Sequence, residues 1–259
     1  MGERARQGLW PVVSFVIVLA CWQAIVWVVA PPPFLLPSPG RVLARFIDFG
    51  PNWPRHIVAT LQAIVLGFVV AVAFGVIGAL AVVASDRFRQ ALTPLLVTLQ
   101  IIPKIAFAPL FLVWFGLGIV SKVTVAFLVA FFPVLINTAV GLVQIEPELL
   151  DLTRVIKARR SWVFLRVRLP NSLPYFFAGL RVASTLAVIG AVIAEFVGSD
   201  VGLGYLIVVA NNQLDTPLAL ASIVLISALG LMLYGLLVAL ERLVTPWART
   251  DGGLIKAAL

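Results

Sequence analysis

Apolar residues dominate this chain in six long runs, separated by short segments that carry most of its charge. The runs cover about residues 9–30, 57–84, 91–115, 123–143, 172–197 and 218–240. Each is long enough for an α-helix to cross the hydrocarbon core of a membrane, which takes roughly 20 residues. Strands of a membrane barrel would instead alternate apolar and polar residues over about ten positions. The pattern therefore predicts an all-α, multi-spanning membrane protein with about six transmembrane helices.

Proline and glycine mark the places where this helical pattern is interrupted. Pro94, Pro103 and Pro109 interrupt the third run, and Gly116 and Gly118 follow directly after it. A broken helix at membrane depth is tolerated only where its backbone faces protein or water, so this run is either part of a solute pathway or an ordinary kinked helix. After the first run, Ser38 followed by Pro39 is typical of a helix start, and we expect a short surface helix from Pro39 to about Phe49. The stretch 202–205 indicates a tight turn or a shallow re-entry.

Composition supports the membrane assignment and narrows the class of protein. The chain is 62% hydrophobic and only 12% charged, whereas soluble domains carry roughly 25% charged residues. Its net charge of +8 does not indicate nucleic-acid binding, because the cations cluster in loops between apolar runs, as anionic lipid favours. A single cysteine, Cys21, excludes a disulfide framework. The first run continues past Cys21 to transmembrane length, so we expect an uncleaved helix rather than a signal peptide.

The distribution of Lys and Arg predicts the orientation. With both termini in the cytoplasm, the cytoplasmic segments hold thirteen of these residues and the opposite side holds four, Lys122 among them. Short cytoplasmic loops collect cations, so this asymmetry sets the topology. We expect one membrane domain over residues 1–259, with a core at about 57–244, in a cytoplasmic (inner) membrane.

The most informative loop runs from Glu146 to Pro174 and carries six of the 19 Lys and Arg residues. Pro147 suits the first turn of a helix, acidic residues stand near that start, and Lys157, Arg159 and Arg160 follow. Leucine and isoleucine recur at helical spacing, which predicts an amphipathic helix. A helix of this kind on the cytoplasmic side indicates a docking surface for another protein.

This loop resembles the cytoplasmic "EAA" loop of ABC importer permeases, whose pattern is E-A-A, three residues, G, about nine residues and I-x-L-P. The corresponding positions here are occupied by Asp151, Leu152, Thr153 and Lys157, then by Val167 to Pro170. Three further runs look like the same family: Ile101–Gly118, Phe131–Leu142 and Ala178–Gly198. They look most like its branch importing sulfonates, taurine, nitrate, pyrimidine precursors and riboflavin.

The resemblance implies a coupling loop over residues 146–170 that contacts an ATPase. The coupling residues are then Glu148, Asp151, Leu152, Thr153, Lys157, Ala158, Leu169 and Pro170. It also implies two ATPase subunits as partners, a soluble binding protein that delivers the solute, and a second copy of the chain, since six helices are too few to enclose a gated path. The solute would be a small organic molecule, either a pyrimidine- or riboflavin-like precursor or an anion of the sulfonate or nitrate type.

Chemistry-bearing residues are few, and none forms a catalytic or metal-binding motif. There is no phosphate-binding loop sequence and no Cys/His cluster, so we expect neither enzymatic activity nor a cofactor or metal. Candidate pathway residues are the polar groups within the later apolar runs: Gln100, Lys104, Asn137 and Glu195. Lys104 and Glu195 either line the path or stabilise packing, by pairing with each other or with backbone freed by prolines. Asn137 and Gln100 are also suited to bridging helices, and Arg181 to reaching the cytoplasmic surface.

Two other functional classes remain open at this level. An ion-coupled secondary transporter would be expected to show internal repeats and carboxylates near the membrane midplane. The sequence shows no such repeat, and Glu195 is the one carboxylate within its apolar runs. A structural membrane anchor would leave the broken third run and Lys104 without a role.

Overall fold

The computed structural model describes residues 2–84, 90, 94 and 98–247, and the regular elements among them are all helical. Four of these helical segments are long and apolar enough to cross a membrane: Gly50–Ala84, Ile119–Val143, Arg160–Val197 and Thr216–Val244. Shorter apolar helices accompany them: Val13–Val29, Lys104–Phe115 and Leu203–Asn212. The all-α, multi-spanning architecture predicted from the apolar runs is confirmed.

The helices follow one another in the order that the sequence pattern predicts, with two additions in the loops. They are α1 Gly2–Val29, α2 Pro39–Asp48, α3 Trp53–Ala84, α4 Ala108–Phe115, α5 Ile119–Val143, α6 Pro147–Val155, α7 Arg160–Val163, α8 Leu169–Val197, α9 Leu203–Asn212 and α10 Thr216–Val244. Single turns of 3₁₀-helix cover Gly50–Asn52 and Lys104–Phe107, and a π-helical turn covers Phe164–Arg168.

The third predicted run is broken within the part that the structure describes. Residues 98–101 are helical, a 3₁₀ turn follows Pro103, and α4 then ends where Gly116 takes a φ of 76°. Pro109 lies in the first turn of α4, where a proline starts a helix rather than interrupting it. The beginning of this run, together with Arg87, Arg89, Arg249 and Lys256 of the cation count, lies outside the described residues.

The described residues form two compact units, the first within Met1–Thr60 and Asp200–Ser227, the second within Leu61–Ser199 and Ala228–Leu259. In the second unit, α5 and α8 pack closely because glycine stands at their contacts. A Cβ on Gly190 would lie 2.7 Å from the Cα of Ala126, and one on Gly179 would lie 2.9 Å from the Pro133 carbonyl oxygen. Small residues at helix contacts let backbones approach, which is the main source of helix association in lipid.

In the first unit, side chains join the short helix α2 to its surroundings. Ser38 caps α2, and its Oγ accepts a hydrogen bond from the Arg41 N–H at 3.4 Å, as predicted for a Ser-Pro helix start. The Arg45 guanidinium lies 2.7 Å from a carboxylate oxygen of Asp215. Trp22 Nε1 donates to the Pro37 carbonyl at 3.1 Å. The chain on either side of α2 is therefore held by polar contacts within its own unit.

The helix α9 was not predicted as such; the sequence suggested a tight turn or a shallow re-entry at residues 202–205. Gly202 precedes it with a φ of 134°, a conformation that only glycine adopts readily. Two side chains one turn apart on α3 form hydrogen bonds with the backbone at this helix start. His56 Nδ1 lies 3.1 Å from the Gly202 nitrogen, and Thr60 Oγ1 accepts from the Leu203 N–H at 2.8 Å. These side chains satisfy donors that the first turn of a helix leaves unpaired.

Replacing Thr60 with Val should destabilise the chain by about 1–3 kcal/mol, because the buried Leu203 N–H would lose this acceptor. Thermal unfolding in detergent measures the loss. Thr185→Val is the matched control: Thr185 is exposed, and its hydroxyl contacts only the Arg181 carbonyl of its own helix, at 3.4 Å. Equal effects of the two substitutions would contradict the capping role of Thr60.

Candidate functional site

We define residues 146–170 as the coupling segment, and the helix α6 lies near its beginning. Pro147 lies in its first turn with Glu148, and Arg154 lies in its last turn, an order that the helix dipole favours. The helix is shorter than the charge pattern predicted, because it ends at Val155 and leaves Lys157, Arg159 and Arg160 beyond it. Arg154 therefore supplies the positive charge of its last turn.

One face of α6 is apolar and exposed on the surface of the chain. Leu152 is 57% exposed and Val155 is 79% exposed, and Leu149 and Ile156 are exposed beside them. Thr153 faces inward, where it is buried and its hydroxyl donates to the Leu150 carbonyl at 2.7 Å. Of these two neighbours in sequence, Leu152 thus lies on the outer face of α6 and Thr153 on its inner face. The outer face is an apolar surface that no other described part of the chain covers.

Lys157 ends the helix in a left-handed conformation, with a φ of 48°. The Lys157 N–H donates to the Arg154 carbonyl at 3.0 Å, and the Ala158 N–H donates to the Thr153 carbonyl at 3.0 Å. These two bonds make a Schellman motif, in which the left-handed position is usually glycine. The "EAA" pattern has glycine where this chain has Lys157, so the bend is kept here by a residue that pays a steric cost for it.

Replacing Lys157 with Gly should stabilise the chain by about 1–2 kcal/mol, the steric cost of a left-handed residue that has a Cβ. The melting temperature in detergent should rise by a few degrees. Arg166→Gly, in the π-helical turn, is the control and should lower stability by about 1 kcal/mol. A lower melting temperature for Lys157→Gly would contradict the left-handed bend.

The two ends of the coupling segment are fastened to each other and to the membrane helices. Asn171 Nδ2 donates to the carbonyl oxygens of Gly141 at 3.2 Å and Gln144 at 2.8 Å, and Arg168 Nη1 lies 3.4 Å from that of Leu142. These are carbonyls at the end of α5 that have no partner within the helix. Sequence reasoning missed Asn171, because its partners Gly141 and Gln144 lie 30 and 27 residues away along the chain.

Leu169 and Pro170 lead from the coupling segment directly into α8. Pro170 lies in the first turn of α8, immediately after the π-helical turn Phe164–Arg168. A proline clashes with the carbonyl four residues before it, and a widened turn at that place relieves the clash. The segment is therefore continuous with α8 through an unbroken run of helical residues.

Among the candidate pathway residues, Lys104 and Gln100 lie together. Lys104 Nζ donates to the Gln100 carbonyl oxygen at 3.0 Å and lies 4.6 Å from the centre of the Phe132 ring. That carbonyl is left unpaired by the helix that stops before Pro103, so the structure bears out pairing with backbone freed by proline. The expected alternative, a pair between Lys104 and Glu195, is wrong.

Lys104 also lines a cleft of about 370 Å³, which we call the aromatic cleft. The other residues that line it are apolar: Leu99, Ile102, Phe107, Phe111, Trp114, Phe127, Leu128, Phe131 and Phe132. Among the described lining residues, one cation stands beside six aromatic rings, and this combination gives the cleft a defined chemistry. It favours a flat, apolar molecule that carries negative charge or electron-rich atoms at one edge.

Glu195 lies instead beside Lys122, whose Nζ is 3.9 Å from a carboxylate oxygen of Glu195. Lys122 was expected in an external loop, but it stands in the first turn of α5 and its side chain is only 4% exposed. The Glu195 side chain is fully buried. Two buried charges at this distance hold the beginning of α5 against the end of α8. Asn137 lies elsewhere on α5, where its Nδ2 donates to the Pro133 carbonyl at 2.9 Å.

A second ion pair within the membrane helices was not predicted. Arg181 Nη1 lies 2.6 Å from Glu241 Oε2, so Arg181 pairs with a neighbouring helix rather than simply reaching the surface. Glu241 is buried near the end of α10, which continues to Val244, beyond the run predicted from hydropathy. Glu195 is therefore not the only carboxylate within the long helices. An Arg within one apolar run and a Glu directly after another were the available signal.

Taken together, these features define an integral membrane transport subunit: long apolar helices, buried ion pairs between them, and an exposed amphipathic helix in a basic loop. The chain belongs to the family of binding-protein-dependent transport system inner membrane components, whose model matches residues 63–246. As a member of that family it is an ABC transporter permease subunit, a component that is not itself catalytic.

Curated relatives resemble the chain over nearly its whole length. The formylaminopyrimidine transport permease protein ThiX of Halalkalibacterium halodurans is 36% identical over 248 residues, covering 95% of this chain and 99% of the relative. The riboflavin transport system permease protein RibX of Chloroflexus aurantiacus is 41% identical over 246 residues, covering 92% and 91%. The taurine transport system permease protein TauC of Escherichia coli is 30% identical over 251 residues, covering 94% and 91%.

Proposed function

We propose that the chain forms the membrane path of an ATP-driven importer for a small organic solute, delivered by a soluble binding protein. The observation that carries the proposal is the exposed apolar face of α6, in a loop that resembles the ATPase-contacting loop of ABC importer permeases. Leu152 and Val155 would enter a groove on the ATPase, and Asp151 and Arg154 would lie at its rim. ATP would be hydrolysed by that partner.

The mechanism follows from how the coupling segment is fastened. Its Schellman bend at Lys157 fixes the direction of α6, and its end continues into α8 without a break. A movement of the ATPase against α6 would therefore be carried to α8 and, through its glycine contacts, to α5. Two copies of the chain would face each other with two ATPase subunits below them. In this arrangement both termini lie in the cytoplasm and the binding protein docks on the opposite side.

For the solute, we propose a pyrimidine- or riboflavin-like precursor, with a sulfonate- or nitrate-type anion as the alternative. The aromatic cleft supports the first choice, because its rings suit a flat heterocycle and Lys104 suits an oxygen-rich edge. Two relatives, the formylaminopyrimidine and the riboflavin transport permease proteins, agree with this choice. Gln100, Lys104, Asn137 and Glu195 remain the proposed pathway residues, and Lys104 has the clearest role.

Replacing Lys104 with Met should lower uptake by about tenfold, the loss expected when a desolvated cation is removed from beside an aromatic ring and a solute. The apolar stem of the side chain is largely kept, so the fold should be unaffected. Gln62→Met is the matched control, since Gln62 is an exposed polar residue of α3 that does not line the cleft. Normal uptake by the Lys104→Met variant would contradict a role for the aromatic cleft in the pathway.

The energy source separates this proposal from an ion-coupled secondary transporter. The purified complex of this chain, its ATPase and its binding protein would be placed in vesicles and supplied with labelled riboflavin, formylaminopyrimidine or taurine. We expect uptake of one of them that needs ATP and continues when ionophores collapse the ion gradients. Uptake by the chain alone, driven by a proton or sodium gradient, would establish the carrier and overturn the proposal.

A further inference from the structure

A large cleft lies where the coupling segment meets the ends of α3 and α5. It has a volume of about 1070 Å³, and we call it the basic cleft. One side is formed by the last residues of the two membrane helices, including Leu80, Val83 and Val143. The other side is formed by the coupling segment, from Arg154 on α6 to Arg168 in the π-helical turn. All of these residues belong to the second unit.

Among the described residues that line the basic cleft, the charged ones all have one sign. Arg154, Arg160 and Arg168 contribute to its wall, and no acidic residue of the described part of the chain does. Arg154 is partly neutralised by Asp151, 2.7 Å away, and Arg168 uses Nη1 toward the Leu142 carbonyl at 3.4 Å. Arg168 retains its other N–H groups, and Arg160 stands exposed at the start of α7. Arginine presents several donors in a planar fork, the geometry that matches the oxygens of a phosphate.

The rest of the wall is apolar, which decides what kind of phosphate compound fits. Leu80, Val83 and Val143 come from the ends of membrane-crossing helices, and Val163 and Phe164 come from the loop side. Free phosphate or a small anion would occupy the arginines and leave these side chains uncovered. A molecule with an anionic phosphate at one end and hydrocarbon at the other covers both parts of the wall.

We propose that the basic cleft binds one anionic phospholipid of the cytoplasmic leaflet, with its phosphate held by Arg160 and Arg168. Basic pockets between membrane helices on this side of a membrane are suited to such headgroups. The acyl chains lie against the ends of α3 and α5. Because Arg154 belongs to both α6 and the cleft wall, the bound lipid contacts the coupling helix and stabilises its position.

The test uses the purified full-length chain in phosphatidylcholine nanodiscs, with and without phosphatidylglycerol. Bound phosphatidylglycerol is counted by mass spectrometry of the lipid that stays with the protein after exchange into detergent. Arg160→Gln and Arg168→Gln should each weaken retention by about fivefold, the contribution of one cation near an anionic lipid surface. Arg166→Gln is the matched control, because Arg166 carries the same charge in the same turn and does not line the cleft.

Three outcomes would overturn the proposal. Equal losses in the Arg166 and Arg160 variants would mean that the basic loop attracts lipid only as a general positive surface. Full displacement of phosphatidylglycerol by inorganic phosphate would mean that the cleft binds the anion without the hydrocarbon. Unchanged retention of phosphatidylglycerol by the Arg160→Gln variant would show that Arg160 does not hold the lipid and would rule out the proposed site. Arg160 is exposed, so this variant is expected to fold even if Arg168→Gln does not.

Discussion

Replacing Leu152 with Glu is expected to lower ATP-driven uptake at least tenfold while the chain still folds and inserts into the membrane. Leu152 is 57% exposed at the centre of the apolar face of α6, so the chain itself covers less than half of its side chain. In the proposed complex it is buried in the ATPase, where a carboxylate would be left without a partner. Central apolar contacts of an interface commonly contribute 2 kcal/mol or more, about thirtyfold in affinity.

The loss would be measured as ATP-dependent uptake and as co-purification of the ATPase with the variant. Leu214→Glu is the matched control, because Leu214 is similarly exposed but lies in the loop between α9 and α10, on the predicted outer side. Asp151→Lys should also weaken coupling, since it reverses a charge beside the same face. Normal uptake by both α6 variants would exclude this helix as the coupling surface.

Removing one member of the buried pair Lys122–Glu195 should cost about 3–5 kcal/mol, the usual penalty when the other charge stays buried without its partner. Lys122→Met and Glu195→Gln are the substitutions, since each keeps most of the side chain's volume. The double variant should recover most of the loss, because neither charge remains. Thermal unfolding of the three variants measures the coupling between the two residues.

An exposed pair provides the comparison. Asp151 and Arg154 are joined at 2.7 Å, but their side chains are 65% and 78% exposed. The substitution Asp151→Asn should therefore change the free energy of unfolding by less than about 1 kcal/mol. A loss below that value for Glu195→Gln would contradict the structural role of the buried pair, whatever its effect on uptake.

The membrane helices were predictable from sequence because hydrocarbon imposes a simple rule on length and polarity. The start of α2 was predictable too, since Ser38 and Pro39 act on neighbouring backbone atoms. The partner of Glu195 was not predictable, because no local feature of the sequence distinguishes Lys104 from Lys122 as the lysine that lies beside it. Lys104 pairs elsewhere because the helix breaks at Pro103, which frees the Gln100 carbonyl for Lys104 to reach.

Two features of the site were missed for similar reasons. The helix α9 begins at a glycine and receives caps from His56 and Thr60, which are far away in sequence. The bend after α6 depends on the backbone, and a lysine at 157 gives no hint that it adopts a left-handed conformation. Contacts between distant segments carry these features, and hydrophobic periodicity does not record such contacts.

Site-directed crosslinking can show directly whether α6 docks on an ATPase. In a Cys21→Ser background, Leu152→Cys and Leu214→Cys would each be treated with a short thiol crosslinker in the assembled importer, in native membranes. We expect a crosslinked product with the ATPase from position 152 and none from position 214. A product from position 214 only, or equal products from both positions, would contradict it.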